Sequence, residues 1–305
     1  MRRVIAHLVA LVTLTASAGL SAFVVSAPAS AGTVISPPAS TSTGSSRAPL
    51  FGATIPSAGD LAQETGQFGH MPIVHVYYSG LPKMNAWTGG LAGANKSAVI
   101  VSFNASPSAI LSGADDSVLK HFFDTAPTGH PIYYCYIHEP EHHIELGQYS
   151  AAAYRSAWTH VAKIAQGAHN PDLRATLILM GYDVQKSSHR NWRDYMPSGG
   201  IITTVAWDAY PDGAAPGPTR ALVPPGPKFM GPEIAASKAA GLAFGFAEFG
   251  ATIQNGRGPW LTAVGSYLMT SGAAFASLFD SPLFHFRLTD SASINAWRAV
   301  VAKSG

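Results

Sequence analysis

The sequence predicts a single (β/α)8 TIM barrel of the α/β class, on two observations. Short apolar runs alternate with amphipathic stretches through about 250 residues, from residue 49 to residue 305, which is the element order of a parallel barrel. No repeat or change in composition divides that span into two domains. An open doubly wound sheet is the rival fold, but no G-x-G-x-x-G turn follows the first apolar run.

Eight runs have the length and the β-branched or aromatic content of buried strands. They are predicted over residues 50–55, 73–78, 98–103, 132–137, 175–180, 201–207, 242–247 and 274–279. The seventh run leads into Glu248, and strict alternation would place Glu248, Phe246 and Phe244 on one face, toward the barrel interior. The small residues Ala243 and Gly245 would then face the helices outside.

The helices are predicted from apolar residues at helical spacing and from capping residues. They cover residues 57–68, 115–124, 150–166, 233–240, 259–270 and 294–302. Ser57 and Ser150 are expected N-caps, and Pro259 suits a first helical turn. A long loop rich in Pro and Gly is expected over residues 211–232.

The N-terminus has the pattern of a secretory signal peptide over residues 1–31. Arg2 and Arg3 precede an apolar stretch over residues 4–25, and Ala29-Ser30-Ala31 is a small-residue cleavage site. A membrane anchor is the alternative for a stretch of this length. Residues 32–48, rich in Ser, Thr and Pro, are expected to be a disordered linker. We therefore expect a secreted, extracellular protein that has no membrane partner after cleavage.

Composition limits the classes of partner. The chain has 19 Lys and Arg residues, of which Arg2 and Arg3 lie in the signal, leaving 17 against 17 Asp and Glu. This balance argues against a nucleic-acid partner. The one cysteine, Cys135, lies inside the fourth predicted strand, where it is expected to be buried filler. We expect a monomer.

Two glutamates stand at the carboxyl ends of predicted strands, where TIM barrels carry their chemistry. Glu139 follows the fourth strand, and Glu248 follows the seventh. Glycoside hydrolysis needs one carboxyl as proton donor and a second as nucleophile or base, about 5 to 5.5 Å apart in a retaining enzyme. The alternative for a single strand-end glutamate is a salt bridge or a helix cap, but two at matching positions favour catalysis. Asp208, after the sixth strand, is interpreted as support for the site.

Several short motifs resemble glycoside hydrolase family 26, of clan A. These are His138-Glu139-Pro140, Glu248-Phe249-Gly250, Trp207-Asp208-Ala209-Tyr210, the stretch from Tyr154 to His160, and two motifs ahead of the fourth strand, over residues 113–116 and 121–124. The resemblance implies a retaining enzyme that acts on a β-linked polysaccharide such as β-1,4-mannan, without a cofactor or metal. It implies that Glu139 is the acid/base and Glu248 the nucleophile. His138 would contact the sugar or Glu248, and Tyr210 would hydrogen-bond Glu248.

The chain departs from that family at its sugar-stacking positions. Glu141-His142-His143 stands where the family has Asn-Gly and a Trp, and no Trp ends the eighth strand. Tyr182, Trp192 and Phe279 are the aromatic residues that could replace them, with Tyr182 the predicted substrate contact. These losses leave open a non-catalytic carbohydrate-binding or cell-wall-associated barrel.

Residues 138–142 also match H-E-x-x-H, the pattern of zinc proteases. That pattern needs both histidines on one face of a helix. Pro140 stands between them, where it would disrupt a helix interior. A zinc hydrolase is therefore the third alternative, and residues 141–143 are expected to be surface loop.

Overall fold

The structure is a computed structural model that describes residues 48–55, 58–211 and 222–304. Within these residues, eight parallel strands pair in chain order and the eighth pairs with the first, which closes the barrel. This confirms the predicted (β/α)8 fold. The expected signal peptide, residues 32–47 of the linker, the Ser57 cap and residues 212–221 of the long loop lie outside the described residues.

The strands are short and almost wholly buried. They are β1 Leu50–Thr54, β2 Ile73–Tyr78, β3 Ala98–Phe103, β4 Ile132–Tyr136, β5 Leu173–Met180, β6 Thr204–Ala209, β7 Ala243–Phe249 and β8 Phe275–Leu278. β2 and β3 have the predicted bounds, because each is an uninterrupted run of strand-forming residues between turn residues.

Helices connect the strands and cover the barrel. They are α1 Ala58–Phe68, α2 Pro107–Leu111, α3 Asp116–Asp124, α4 Glu141–Glu145, α5 Ala151–Gly167, α6 Gly231–Ala239, α7 Arg257–Met269 and α8 Ser291–Val301. Ser150 caps α5 as predicted, with its side chain accepting from the Ala153 N–H. The short helices α2 and α4 were not predicted, since five residues show too little periodicity. Among the described residues, no helix combines the length and apolarity needed to cross a membrane.

Aromatic rings fill both layers of the core. Inside the barrel, the rings of Tyr133 on β4 and Phe275 on β8 meet across the interior, with centroids 4.4 Å apart. Outside, Trp158 of α5 packs on Tyr134 and Tyr136 of β4. The indole of Trp297 in α8 donates to the carbonyl of Gly52. Cys135 is fully buried on β4, as predicted, and burial raises the pKa of its thiol.

The alternation predicted for β7 is wrong in phase, although Glu248 does face inward. Trp207 pairs with Phe246 and the next residue, Asp208, pairs with Glu248, so Ala247 is the extra residue of a β-bulge. Gly245 lies on the interior face, since a Cβ there would meet the Phe275 ring at 2.5 Å. Before the bulge, therefore, small residues face the interior and phenylalanines face the helices. The bulge reverses the alternation and turns Glu248 inward.

This packing predicts opposite effects for two Gly-to-Ala substitutions. Gly245→Ala would push a methyl group into the Phe275 ring and should lower the free energy of unfolding by about 1–3 kcal/mol. Gly66→Ala, at an exposed position in α1 with nothing within 4 Å of its Cβ, should raise it by about 0.5–1 kcal/mol. Urea denaturation of both variants measures these changes. A Gly245→Ala variant as stable as wild type would contradict the assigned strand phase.

One buried carboxyl should make stability depend on pH. Glu233, in the first turn of α6, is 4% exposed, and burial raises its pKa from 4.5 to about 7. The native state thus binds this proton more tightly than the unfolded chain does. The stabilisation from protonated Glu233 is fully present below pH 4.5 and is lost as the pH rises through about 7. The free energy of unfolding falls by at most about 3 kcal/mol as a result.

Glu233→Gln should remove this dependence. Between pH 4.5 and pH 8, the variant should lose less unfolding free energy than wild type does, by up to about 3 kcal/mol. Asp194→Asn, at an exposed position, is the control and should keep the wild-type dependence. Denaturation curves at a series of pH values measure the effect, and parallel curves for wild type and Glu233→Gln would contradict it.

Candidate active site

Glu139, Asp208 and Glu248 come from three different strands and meet at the carboxyl end of the barrel. Asp208 and Glu248 are paired residues of the neighbouring strands β6 and β7. Glu139 follows β4, and the charges of both Asp208 and Glu248 act on it. His138, the residue before Glu139, contacts Asp208, and its Nε2 lies 4.0 Å from Oε1 of Glu248. The predicted residues His138, Glu139, Tyr210 and Glu248 therefore form one cluster.

The backbone that presents Glu139 is unusual. Ile137 and Glu139 have φ angles of +49° and +51°, a region that non-glycine residues rarely adopt, least of all a β-branched one. The surrounding barrel holds them there. The Ile137 N–H donates to the Phe103 carbonyl at 2.9 Å, and the Glu139 N–H donates to the Ile178 carbonyl at 3.2 Å. Such backbone strain is typical of functional sites.

Both oxygens of the Glu248 carboxylate accept hydrogen bonds from phenols. The Tyr210 hydroxyl donates to Oε2 at 2.5 Å, and the Tyr77 hydroxyl donates to Oε1. Glu248 itself is 8% exposed. The two donors come from separate parts of the barrel, Tyr77 from β2 and Tyr210 from the residue after β6.

Asp208 is buried behind His138. Its Oδ2 bonds the Nε2 of His138, while its Oδ1 has no hydrogen-bond partner among the described residues. Asp208 thus orients the imidazole that lies beside Glu248. The pKa of Asp208 is raised, first by burial and then by the charge of Glu248.

Burial gives Glu139 the properties of an acid. Desolvation raises its pKa well above the ordinary value, and the charges of Asp208 and Glu248 raise it further, against an opposing effect of His138. A raised pKa lets a carboxyl hold its proton to a higher pH than usual and donate it to a leaving group. Glu139 and Glu248 therefore have different environments, as an acid and a nucleophile require.

A metal ion could also be held here. The side-chain ligand atoms of His138, Glu139 and Asp208 lie within 4.8 Å of one another. His142 does not belong to this group, because α4 begins after Pro140 and so leaves His138 outside the helix. The H-E-x-x-H motif therefore lacks the one-helix arrangement that a zinc protease needs.

The expectation that residues 141–143 are surface loop is wrong. These residues begin α4, and Glu141 is fully buried, with its Oε1 accepting from the Met180 N–H at 2.9 Å. Its carboxyl faces that of Asp183, which pairs with Arg190 at 2.9 Å. Burial and the neighbouring Asp183 raise the pKa of Glu141. Glu141 thus ties the segment after Glu139 to the end of β5.

Two of the three aromatic residues considered as sugar platforms are packing residues. Trp192 is 5% exposed and stacks edge-on against Trp207, and Phe279 packs against Tyr210 and Phe286. Tyr182 is less buried, but its hydroxyl donates to the Ser187 carbonyl within its own loop. No described contact joins Tyr182 to the two glutamates.

His75 and Tyr77 belong to the cluster but were not predicted. His75 is fully buried on β2, and its ring stacks at 5.5 Å on that of His138. The available signal was the pattern Ile73-Val-His-Val-Tyr, which puts two polar side chains on one face of a buried strand. Because β2 carries no carboxylate, a search for paired carboxyl groups at strand ends does not find it.

No protein-family model matches the chain, and no curated protein sequence matches it. Solved structures of similar fold include a GH26 β-mannanase from Bacteroides ovatus, at 12% identity and a TM-score of 0.57, over 85% of this chain and 89% of that one. A triple mutant of an endo-β-1,4-glucanase from Xanthomonas axonopodis pv. citri matches at 12% identity and 0.56, over 84% of this chain and all of the other.

An endo-1,4-β-mannanase from Rhizomucor miehei matches at 11% identity and a TM-score of 0.55, over 84% of this chain and 96% of the other. These likenesses extend over most of both chains in each case. At such low identity, they show that this chain shares the barrel fold of mannanases and endoglucanases.

Proposed function

We propose that the protein is a retaining glycoside hydrolase of clan A that cleaves a β-linked polysaccharide, β-1,4-mannan or a related β-glycan. The observation that carries the proposal is that Glu139 and Glu248 lie in one cluster at the carboxyl end of the barrel. One carboxyl has a raised pKa, and the other is held by two phenols at the same end of the barrel. The fold shared with mannanases and endoglucanases supports this proposal.

In the proposed mechanism, Glu139 donates its proton to the glycosidic oxygen while Glu248 attacks the anomeric carbon. The bond to the leaving sugar breaks, and a covalent glycosyl ester forms on Glu248. Glu139, now ionised, then removes a proton from water, which displaces Glu248 and restores both groups. His138, oriented by Asp208, would contact the sugar at the reacting centre. Two displacements give a product with the anomeric configuration of the substrate.

The N-terminal pattern of residues 1–31 supports export, so the substrate would be an extracellular polysaccharide. Mannan and glucan differ in the orientation of the sugar 2-hydroxyl. A screen of mannans, glucans and xylans, with NMR of the first product anomer, tests both the substrate class and retention. Release of the inverted anomer would contradict the double displacement.

A second candidate function is a carbohydrate-binding barrel without turnover. It is suggested by the loss of the sugar platforms of family 26, since Trp192 and Phe279 are buried and do not replace them. Binding of an oligosaccharide with no product after long incubation would support this second function and contradict the first.

Glu248→Ala should abolish turnover while the fold stays intact, because the side chain that forms the glycosyl ester is gone. Product release from the polysaccharide found in the screen measures activity, and circular dichroism confirms folding. Asp124→Asn, at an exposed position in α3, is the control and should keep wild-type activity. Near-wild-type turnover by a folded Glu248→Ala variant would contradict the assignment of Glu248.

Asp208→Asn should change the pH dependence of the reaction. The charge of Asp208 raises the pKa of Glu139, so its removal lowers that pKa, and Glu139 loses its proton at lower pH. The alkaline limb of the kcat/KM profile should therefore move to lower pH. Asp194→Asn, at an exposed position, should leave the limb in place. An alkaline limb that stays put or moves upward in Asp208→Asn would contradict this coupling.

A further inference from the structure

The polar side chains of β2, His75 and Tyr77, have no role in the mechanism above. Both lie on the interior face of the strand, and both rings stack on that of His138, at 5.5 and 5.6 Å. A buried imidazole and a buried phenol at the barrel mouth must have hydrogen-bond partners to offset their desolvation. Their partners define a role.

The contacts of His75 fix its tautomer. Its Nδ1 lies 3.1 Å from the Ala247 carbonyl, and a carbonyl can only accept, so Nδ1 carries the proton. Its Nε2 lies 2.9 Å from the Ser102 hydroxyl, which must then donate to it. Burial and the neighbouring His138 lower the pKa of His75, which agrees with a neutral ring carrying one proton.

This tautomer determines the direction of the Tyr77 hydroxyl. Nδ1 of His75 also lies 2.9 Å from the Tyr77 oxygen. The one Nδ1–H is then shared between two acceptors, the Ala247 carbonyl and the Tyr77 oxygen, and the phenol proton is left to point at Oε1 of Glu248. The chain of donors from Ser102 through His75 and Tyr77 therefore ends on the Glu248 carboxylate.

His75 also holds the backbone next to Glu248. Ala247, whose carbonyl accepts from His75, is the extra residue of the β-bulge in β7. That bulge turns Glu248 into the barrel. One imidazole on β2 thus stabilises both the backbone conformation before Glu248 and, through Tyr77, the orientation of its carboxylate.

We propose that His75 and Tyr77 are positioning residues for Glu248, His75 by holding the bulge at Ala247 and Tyr77 by aiming the carboxylate. This inference rests on the proposed function, in which Glu248 attacks the sugar. An attacking oxygen must lie near 3 Å from the anomeric carbon and in line with the leaving group, and small misplacement lowers the rate steeply. Tyr210 holds one carboxylate oxygen, and Tyr77 completes the restraint by holding the other.

Tyr77→Phe tests the aiming role. The variant keeps the ring and removes one donor to a carboxylate, so kcat should fall about 10- to 100-fold with little change in KM. Tyr78→Phe, on the next residue and the opposite face of β2, is the matched control and should behave as wild type. A Tyr77→Phe variant with wild-type kcat, or with a change in KM alone, would overturn the proposal.

Two substitutions of His75 test the holding role. Asn places an amide N–H near the position of Nδ1, whereas Gln reaches the position of Nε2. His75→Asn should therefore retain at least about tenfold more activity than His75→Gln, since it can still donate to the Ala247 carbonyl. Equal activities in two folded variants would overturn the role given to His75.

Crystal structures of Tyr77→Phe and Tyr78→Phe separate this proposal from the proposed function. If wild type hydrolyses no glycan in the screen, the proposed function fails, but the positioning of Glu248 can still be observed. The Glu248 carboxylate should rotate or become disordered in Tyr77→Phe and stay fixed in Tyr78→Phe. An unchanged Glu248 carboxylate in Tyr77→Phe would overturn the positioning role whatever the activity.

Discussion

Three carboxyl groups, those of the buried Asp208 and Glu248 and of the partly buried Glu139, share the mouth of this barrel with the imidazole of His138. The arrangement of the site follows from how their charge is accommodated. Burying a carboxylate without a partner is costly. Desolvation raises the pKa of Glu139, Asp208 bonds to His138, and Glu248 accepts hydrogen bonds from two phenols. The cost of burying charge is thus met differently at each carboxyl group, and the three groups have different chemical environments.

The barrel, the strand order and both glutamates could be predicted from the sequence, because each depends on local patterns. A buried strand is an apolar run, and a carboxyl group at its end interrupts that run visibly. The phase of β7 could not be predicted in this way. Its bulge depends on pairing with β6 and on the His75 contact with Ala247, and neither is encoded near Glu248 in the chain.

Glu141 shows the same limit for polar residues. In sequence it belongs to a charged, His-rich tract typical of a surface, yet it is fully buried. The backbone N–H of Met180, at the end of β5, needs an acceptor, and the Glu141 carboxyl supplies it. Tyr77 was missed for a related reason, since its role comes from partners on β7. Where a residue's partner lies on a distant strand, pattern analysis of one segment has no access to it.

The origin of the cluster in distant parts of the chain has a consequence for folding. His75 and Tyr77 come from β2, and Glu139 follows β4. Asp208 lies on β6, Tyr210 directly after it, and Glu248 on β7. Neither half of the chain carries the complete cluster, so a half-barrel would lack it. The cluster therefore depends on the assembly of both halves of the barrel, and its integrity reports on tertiary structure more directly than helix and strand content does.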